Sequence, residues 1–457
     1  MSGNTGPLQA ASGPPATGPA RAMKWLIPGM GLKRWILVTT LGVMAQSGGV
    51  VALTIAIYRT WRYQVPLDTV LVAIGAFLVA LGMLIAVAGG QKIVRSVVRA
   101  IRPTGAPGLL DALYRNRVRR GPRIVAIGGG TGLASLLRGL KAYSDNITAI
   151  VAMADDGGSS GRLRAELGVL PPGDLRNCLL ALAGEEKLMS DLMAYRFSQG
   201  GLGGHSFGNL FLTALADLTG DLEQAIRASS RILSVRGQVL PGTLADVTLV
   251  CRLQDGTVVR GESHISKSRS PIADFWSEPH DPPALPDALR AIREADAIVL
   301  GPGSLYTSVI PNLLIPEILS EIKQSKAPKI YVCNVMTQPG ETGGYAVSDH
   351  VRALQRVGGP DLFKYVLVNQ DPPQKLLEAY EEQGQRPVGV DLEIVAELGL
   401  VAISGSLLDE QDMVRHDPAA LGEALVTWLV NVRREQTGKL LAFPQEAELA
   451  AKRKGWL

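Results

Sequence analysis

The stretch that decides the fold reads Arg123-Ile124-Val125-Ala126-Ile127-Gly128-Gly129-Gly130-Thr131-Gly132. Its apolar start predicts a short buried strand over 123–127, and its glycines predict a tight turn. The residues that follow predict a helix from Leu133 to Ala142. Glycine at a strand-to-helix turn lets backbone N–H groups approach an anion, and the helix N-terminus favours negative charge. Thr131 adds a hydroxyl donor. No Lys-Ser/Thr pair follows, so this is not a Walker P-loop, and the Ala134-Ser135 pair breaks the GxGxxG spacing. A turn at this point in a sheet is where nucleotides or phosphosugars bind.

Outward from that turn, strands are predicted over Ile147–Ala154, Ala297–Leu300, Lys329–Cys333 and Tyr365–Asn369, each near helical segments. Such alternation indicates an α/β fold: a mostly parallel, Rossmann-like sheet with helices on both faces, assigned here to residues 122–445. Val247–Leu253 and Thr257–Ile265, joined by Gln254-Asp255-Gly256, predict an inserted β-hairpin.

Four more clusters carry candidate chemistry. Asp155-Asp156-Gly157-Gly158-Ser159-Ser160-Gly161-Arg162 follows the second strand. An acid there suits ribose hydroxyls, and two adjacent carboxylates suit Mg²⁺ against a phosphate. Arg162 and Arg164 suit phosphate oxygens. Asp174, in Pro171-Pro172-Gly173-Asp174, is read equally as a helix cap or a substrate contact. His205 and Asn209, in Gly203-Gly204-His205-Ser206-Phe207-Gly208-Asn209, stand at a helix start. Gly301-Pro302-Gly303-Ser304 forms a second strand-to-helix turn, with Asn312 and Asn334 nearby as readers of a base or sugar hydroxyl, or as caps. The remaining histidines have no ligand spacing, which argues against zinc.

Charge separates the chain into two parts. The whole carries +4, but residues 1–123 hold 15 Lys/Arg against Asp68 and Asp111, a net +13, and the remainder is −9. A mean hydropathy of +0.16 with 19% charged residues excludes a disordered chain. The basic charge therefore marks a membrane flank rather than a nucleic-acid surface, and no nucleic-acid partner is expected. Ile36–Ile57 and Thr69–Gly90 each run without a charged residue, long enough to span a bilayer of about 30 Å. The expected order is a disordered basic tail (1–34), a two-helix transmembrane hairpin (35–92), a basic juxtamembrane linker (93–121), the α/β domain (122–445) and a C-terminal tail (446–457). Gln46, Ser47, Gly48 and Gly49 weaken the first span, which could instead be re-entrant or dimerising. Basic residues on both flanks place both ends of the hairpin in the cytoplasm. Cys178, Cys251 and Cys333 lie far apart, and no disulfide is expected.

In order along the chain, GGGTGL, ADDGGSSGRLR, PPGDLRNCL, GHSFGN, GPGSLYTSVIPNLL and NVMTQPGET resemble the CofD-like superfamily, and its YvcK branch of gluconeogenesis factors most closely. The resemblance covers about residues 122–430. It implies a nucleotide-sugar ligand such as UDP-N-acetylglucosamine, or a dinucleotide, and a regulatory role in cell shape, wall synthesis and carbon use. Wall-synthesis proteins are the partners it implies. The transferase branch implies instead a Mg²⁺-dependent transfer of a phospholactyl-type group to a deazaflavin. By motif, Thr131 and Asn312 would contact ligand, as would Tyr380 in AYEEQGQRPV and Arg415 in VRHDP. The chain shows no clear acid–base pair or activated nucleophile, which favours binding over catalysis. Extended Rossmann-like sheets often pair, so a homodimer is expected.

Overall fold

The computed structural model describes residues 32–101, 121–184, 187–268 and 270–437. Most of the basic tail, most of the juxtamembrane linker and the C-terminal tail lie outside these residues. The chain divides into two compact units, Met1–Leu109 and Leu110–Leu457.

The first unit is a helical hairpin, α1 (Leu32–Tyr63) and α2 (Thr69–Ile101). Both helices are longer than their charge-free cores, and the turn shrinks to Gln64–Asp68. Asp68 closes it by accepting the Leu71 backbone N–H at 3.1 Å. Trp35–Tyr63 and Thr69–Lys92 are long and apolar enough to cross a membrane. Their outer faces expose Leu37, Met44, Phe77 and Leu84, the reverse of a soluble core. Hydroxyls of Thr39, Ser47 and Thr54 donate to carbonyls four residues back and so leave no donor unmet. Gly75, Gly82 and Gly89 recur every seventh residue along the inner face of α2. A Cβ on Gly82 would stand 2.5 Å from the Gln46 backbone nitrogen, and one on Gly49 would stand 2.6 Å from the Gly75 carbonyl oxygen. Of the four residues that weaken the first span, Gln46 and Gly49 are thus where the two backbones touch, while Ser47 and Gly48 face outward.

The second unit is built on a seven-stranded parallel sheet. Its strands are β1 (Ile124–Gly128), β2 (Ile147–Val151), β3 (Gln238–Pro241), β7 (Ala297–Leu300), β8 (Lys329–Val332), β9 (Tyr365–Asn369) and β10 (Val401–Gly405). They lie side by side as β10-β9-β8-β7-β1-β2-β3. The inner strands are buried on both faces, as their continuous apolar runs require. One apolar layer, including Ile127, Ile298, Leu300 and Tyr331, packs under one face, and a second, including Leu136, Val299, Ile330 and Leu425, packs under the other.

The predicted hairpin is instead a three-stranded antiparallel sheet, with β4 (Thr248–Leu253) between β5 (Val258–Arg260) and β6 (Ile272–Glu278). The stretch predicted as a strand to Ile265 breaks at Gly261, which has φ +90°, and turns into a short helix, Glu262–Ile265. Asp156 drives that break: its carboxylate accepts the Ser263 backbone N–H at 2.8 Å.

Candidate functional site

β1 pairs in parallel with β2 on one side and β7 on the other. The chain moves out from β1 to β3, then returns to β7 and moves the opposite way. The turns after β1 and β7 therefore diverge and leave a crevice at the strands' carboxyl ends. Both glycine-rich turns meet there. A Cβ on Gly132 would stand 2.6 Å from the Pro302 carbonyl oxygen, so only glycine allows the approach. Three amides fix the two backbones. Asn312 donates to the Gly128 carbonyl at 3.2 Å; Asn334 accepts from the Gly303 N–H at 3.0 Å and donates to its carbonyl at 2.7 Å. Gln338 donates to the Ser304 hydroxyl at 2.9 Å.

Above the turns lies a cleft of about 540 Å³, within the range for small-molecule sites. One wall is helix α3 (Gly130–Leu140), which starts earlier than predicted. Thr131, Ser135 and Arg138 share the stripe that lines the cleft and span about 10 Å at 1.5 Å per residue. Near the start of α3 stand Asp155, Asp174 and Glu262; further along, Arg138 and Arg415; and Tyr380, Met336 and Met413 form an aromatic and apolar wall.

Asp174 lies on α5 (Gly173–Leu182) beside the first turn. It accepts the Gly130 backbone N–H, and its Oδ2 fills the space a Cβ on Gly129 would take. An anion at the start of α3 thus meets the protein's own carboxylate first. Burial raises the Asp174 carboxyl to about 6, and the neighbouring Asp155 charge adds to the effect. Burial and then the Asp155 charge raise Glu262 to about 8. Burial, then the Arg415 charge, lowers Arg138. Arg415 is itself paired with Asp409 at 3.0 Å. Tyr380 accepts the Val414 backbone N–H at 3.1 Å, which ties the aromatic wall to the Arg415 segment. Burial holds His416 down at about 4, so it is neutral at physiological pH.

Of the predicted site residues, Gly130, Thr131, Gly132, Asp155, Gly303, Ser304, Tyr380 and Arg415 line the cleft. Gly128, Gly129 and Gly301 lie beneath the turns and shape them. Asn312 is fully buried; its Nδ2 donates to the Gly128 and Ser308 carbonyls while its Oδ1 is buried without a partner among the described residues, and it supports the turn without lining the cleft. Arg162 turns away to the Gly203 carbonyl at 3.0 Å, and Arg164 to the Val247 carbonyl at 2.9 Å. His205 and Asn209, at the start of α6 (Phe207–Thr219), are buried in a polar network with Ser159, Ser160 and Arg176. Asp156 serves the inserted sheet. The two adjacent aspartates therefore do not converge on one point, and no group of three His, Cys, Asp or Glu among the described residues has metal-binding geometry. The residues do not fit a Mg²⁺ held by the Asp155/Asp156 pair.

Arg138, Asn177, Glu262, Met336, Gln338 and His416 are cleft residues that the sequence reading missed. Arg138 was accessible to it, since it lies seven residues after Thr131 on one helical face. Glu262 was not, because it arrives from an insert more than a hundred residues downstream.

A family model described as 2-phospho-L-lactate transferase CofD matches residues 124–408. The chain belongs to the CofD family. It is 50% identical over 427 residues to a putative gluconeogenesis factor from Nostoc, covering 89% of this chain and 92% of that one. It is 47% identical to the gluconeogenesis factor of Bacillus subtilis, covering 67% of this chain and 98% of that one. A crystal structure of a Bacillus halodurans protein superposes with a TM-score of 0.66 at 47% identity, covering 67% of this chain and 99% of that one. The Nostoc match leaves about 50 residues of this chain unmatched, so it extends into the apolar hairpin. The Bacillus subtilis protein has no counterpart to about a third of the chain.

Proposed function

We propose that this chain is a gluconeogenesis-factor-type regulator that binds a nucleotide sugar, of the UDP-N-acetylglucosamine kind, without turning it over. The observation that carries the reading is the composition of one cleft: an apolar aromatic wall for a base, two arginines for a diphosphate and an acidic end for hydroxyls. The names of its relatives support a regulatory role in carbon metabolism, and roles in cell shape and wall synthesis rest on the resemblance. The same reading includes the hairpin as a membrane anchor with the α/β domain in the cytoplasm, supported by its length, apolar surface and Lys/Arg flanks. A homodimer and contacts with wall-synthesis proteins complete it; light scattering and co-purification check them.

Titrating the protein with UDP-N-acetylglucosamine in a calorimeter, then analysing the mixture by mass spectrometry, tests the central claim. Saturable binding with intact ligand is the expected result. The second reading, a transferase acting on a phospholactyl-type group, is favoured by the family description. Metal-dependent product formation, lost in Asp155→Asn at the cleft wall, would establish it in place of the first.

A further inference from the structure

Asn177 stands one helical turn after Asp174 on α5, and both side chains face the cleft. Its carboxamide has a fixed orientation. Arg176 donates to Asn177 Oδ1 at 2.9 Å, and a guanidinium only donates, so the atom facing it must be the oxygen. The Nδ2 group, with its two N–H donors, has no protein acceptor among the described residues. Arg176 is itself anchored by donating to the Asn209 Oδ1 at 2.8 Å and to the Ser206 hydroxyl. Asn209 in turn donates to Ser159 and Ser160 at 3.1 and 3.3 Å. The buried GHSFGN segment, which lines no part of the cleft, thus holds one amide pointing into it.

A phosphate calls for donors only, and the carboxylates of Asp155 and Asp174 beside this amide repel it. A sugar hydroxyl donates one hydrogen bond and accepts another. A free amide N–H₂ one turn from a carboxylate offers that complementary pair. We propose that Asn177, locked by Arg176, is a specificity-determining donor to the sugar of a nucleoside diphosphate sugar, with Asp174 as the paired acceptor and the diphosphate toward Arg138 and Arg415. This rests on the nucleotide-sugar reading above and deepens it. Arg176 is then a positioning residue, since it touches only Asn177 and the network behind it.

The test compares affinities for UDP-N-acetylglucosamine and UDP, measured by calorimetry on the full-length protein in detergent. The wild type should prefer the sugar nucleotide. Asn177→Ala should lower the preference by about tenfold, as for a lost hydrogen bond beside charged groups, with UDP affinity within twofold of wild type. Arg176→Lys should lower it by less, because the amide becomes free to rotate. Asn177→Asp keeps an acceptor for Arg176 but loses both N–H donors; it gives the same reading where Asn177→Ala fails to fold. A preference unchanged in both Asn177 variants, or equal wild-type affinities for the two nucleotides, overturns the assignment while leaving nucleotide binding in place. No wild-type binding of either nucleotide overturns the nucleotide-sugar reading and this assignment with it.

Discussion

The hairpin and the cleft both depend on glycine at points of backbone contact, and they use it differently. In the hairpin, Gly82 and Gly49 let two helices touch backbone to backbone along a repeating seam. In the cleft, Gly129 and Gly132 bring a carboxylate and a second turn to one point. The loss of a hairpin glycine removes packing between two helices. The loss of a cleft glycine displaces several polar groups together. The same residue type thus serves adhesion in one unit and positioning in the other.

The largest expected effect follows from separating the two units. A chain lacking residues 1–92 should be soluble without detergent, folded and able to bind ligand. Aggregation on gel filtration would show that the α/β domain depends on the hairpin. Gly132→Val should destabilise the domain by roughly 3 kcal/mol and lower its melting temperature by on the order of 6 °C, because the added carbons meet backbone. A melt unchanged from wild type would break the positional role assigned to the turn glycines. Gly82→Val should leave the domain's transition within about 1 °C while the detergent-solubilised chain loses its single gel-filtration peak. A matching fall in the domain's melting temperature would erase the distinction between the units.

Thr131→Val should weaken nucleotide-sugar binding about fivefold with the fold intact, since it removes one hydroxyl. Unchanged affinity by calorimetry refutes that contact. The pH-dependent effect concerns Glu262, whose carboxyl is raised from 4.5 in the unfolded chain to about 8 in the fold. A raised carboxyl favours folding fully below about 4.5, and that contribution is lost as pH rises through about 8. Glu262→Gln should therefore melt like wild type at pH 4 and above it at pH 9. Equal melting temperatures at both values would remove Glu262 from the buried acidic end.

Most of the sheet was legible because its inner strands are continuous apolar runs: Ala297–Leu300 and Tyr365–Asn369 appear with the predicted ends. β3 reads QVLP, opening on a polar residue and ending in Pro241, so it lacks the continuous apolar run that reveals the equally short β7. β6 reads IADFWSE, whose alternation is broken at Phe275-Trp276, so the third strand of the insert stayed hidden. The cleft was legible where its lining residues sit in one motif, as with Thr131 and Ser304. It was misread where a motif residue turned out to support the turn from behind. Asn312 and Asn209 look like ligand contacts in sequence because a buried amide bonded within the protein and an exposed one bonded to ligand leave the same residue type. Only burial separates them.

Glu262 and Ser263 are consecutive residues of one short helix in the inserted sheet, and the Ser263 N–H is bonded to Asp156 at 2.8 Å. The insert therefore has a foot in the wall of the cleft. Two neighbouring aspartates hold that foot, Asp155 beside the Glu262 carboxyl and Asp156 on the Ser263 N–H. Gly261 joins that foot directly to β5, so the outer sheet and the acidic end of the cleft are one residue apart along the chain.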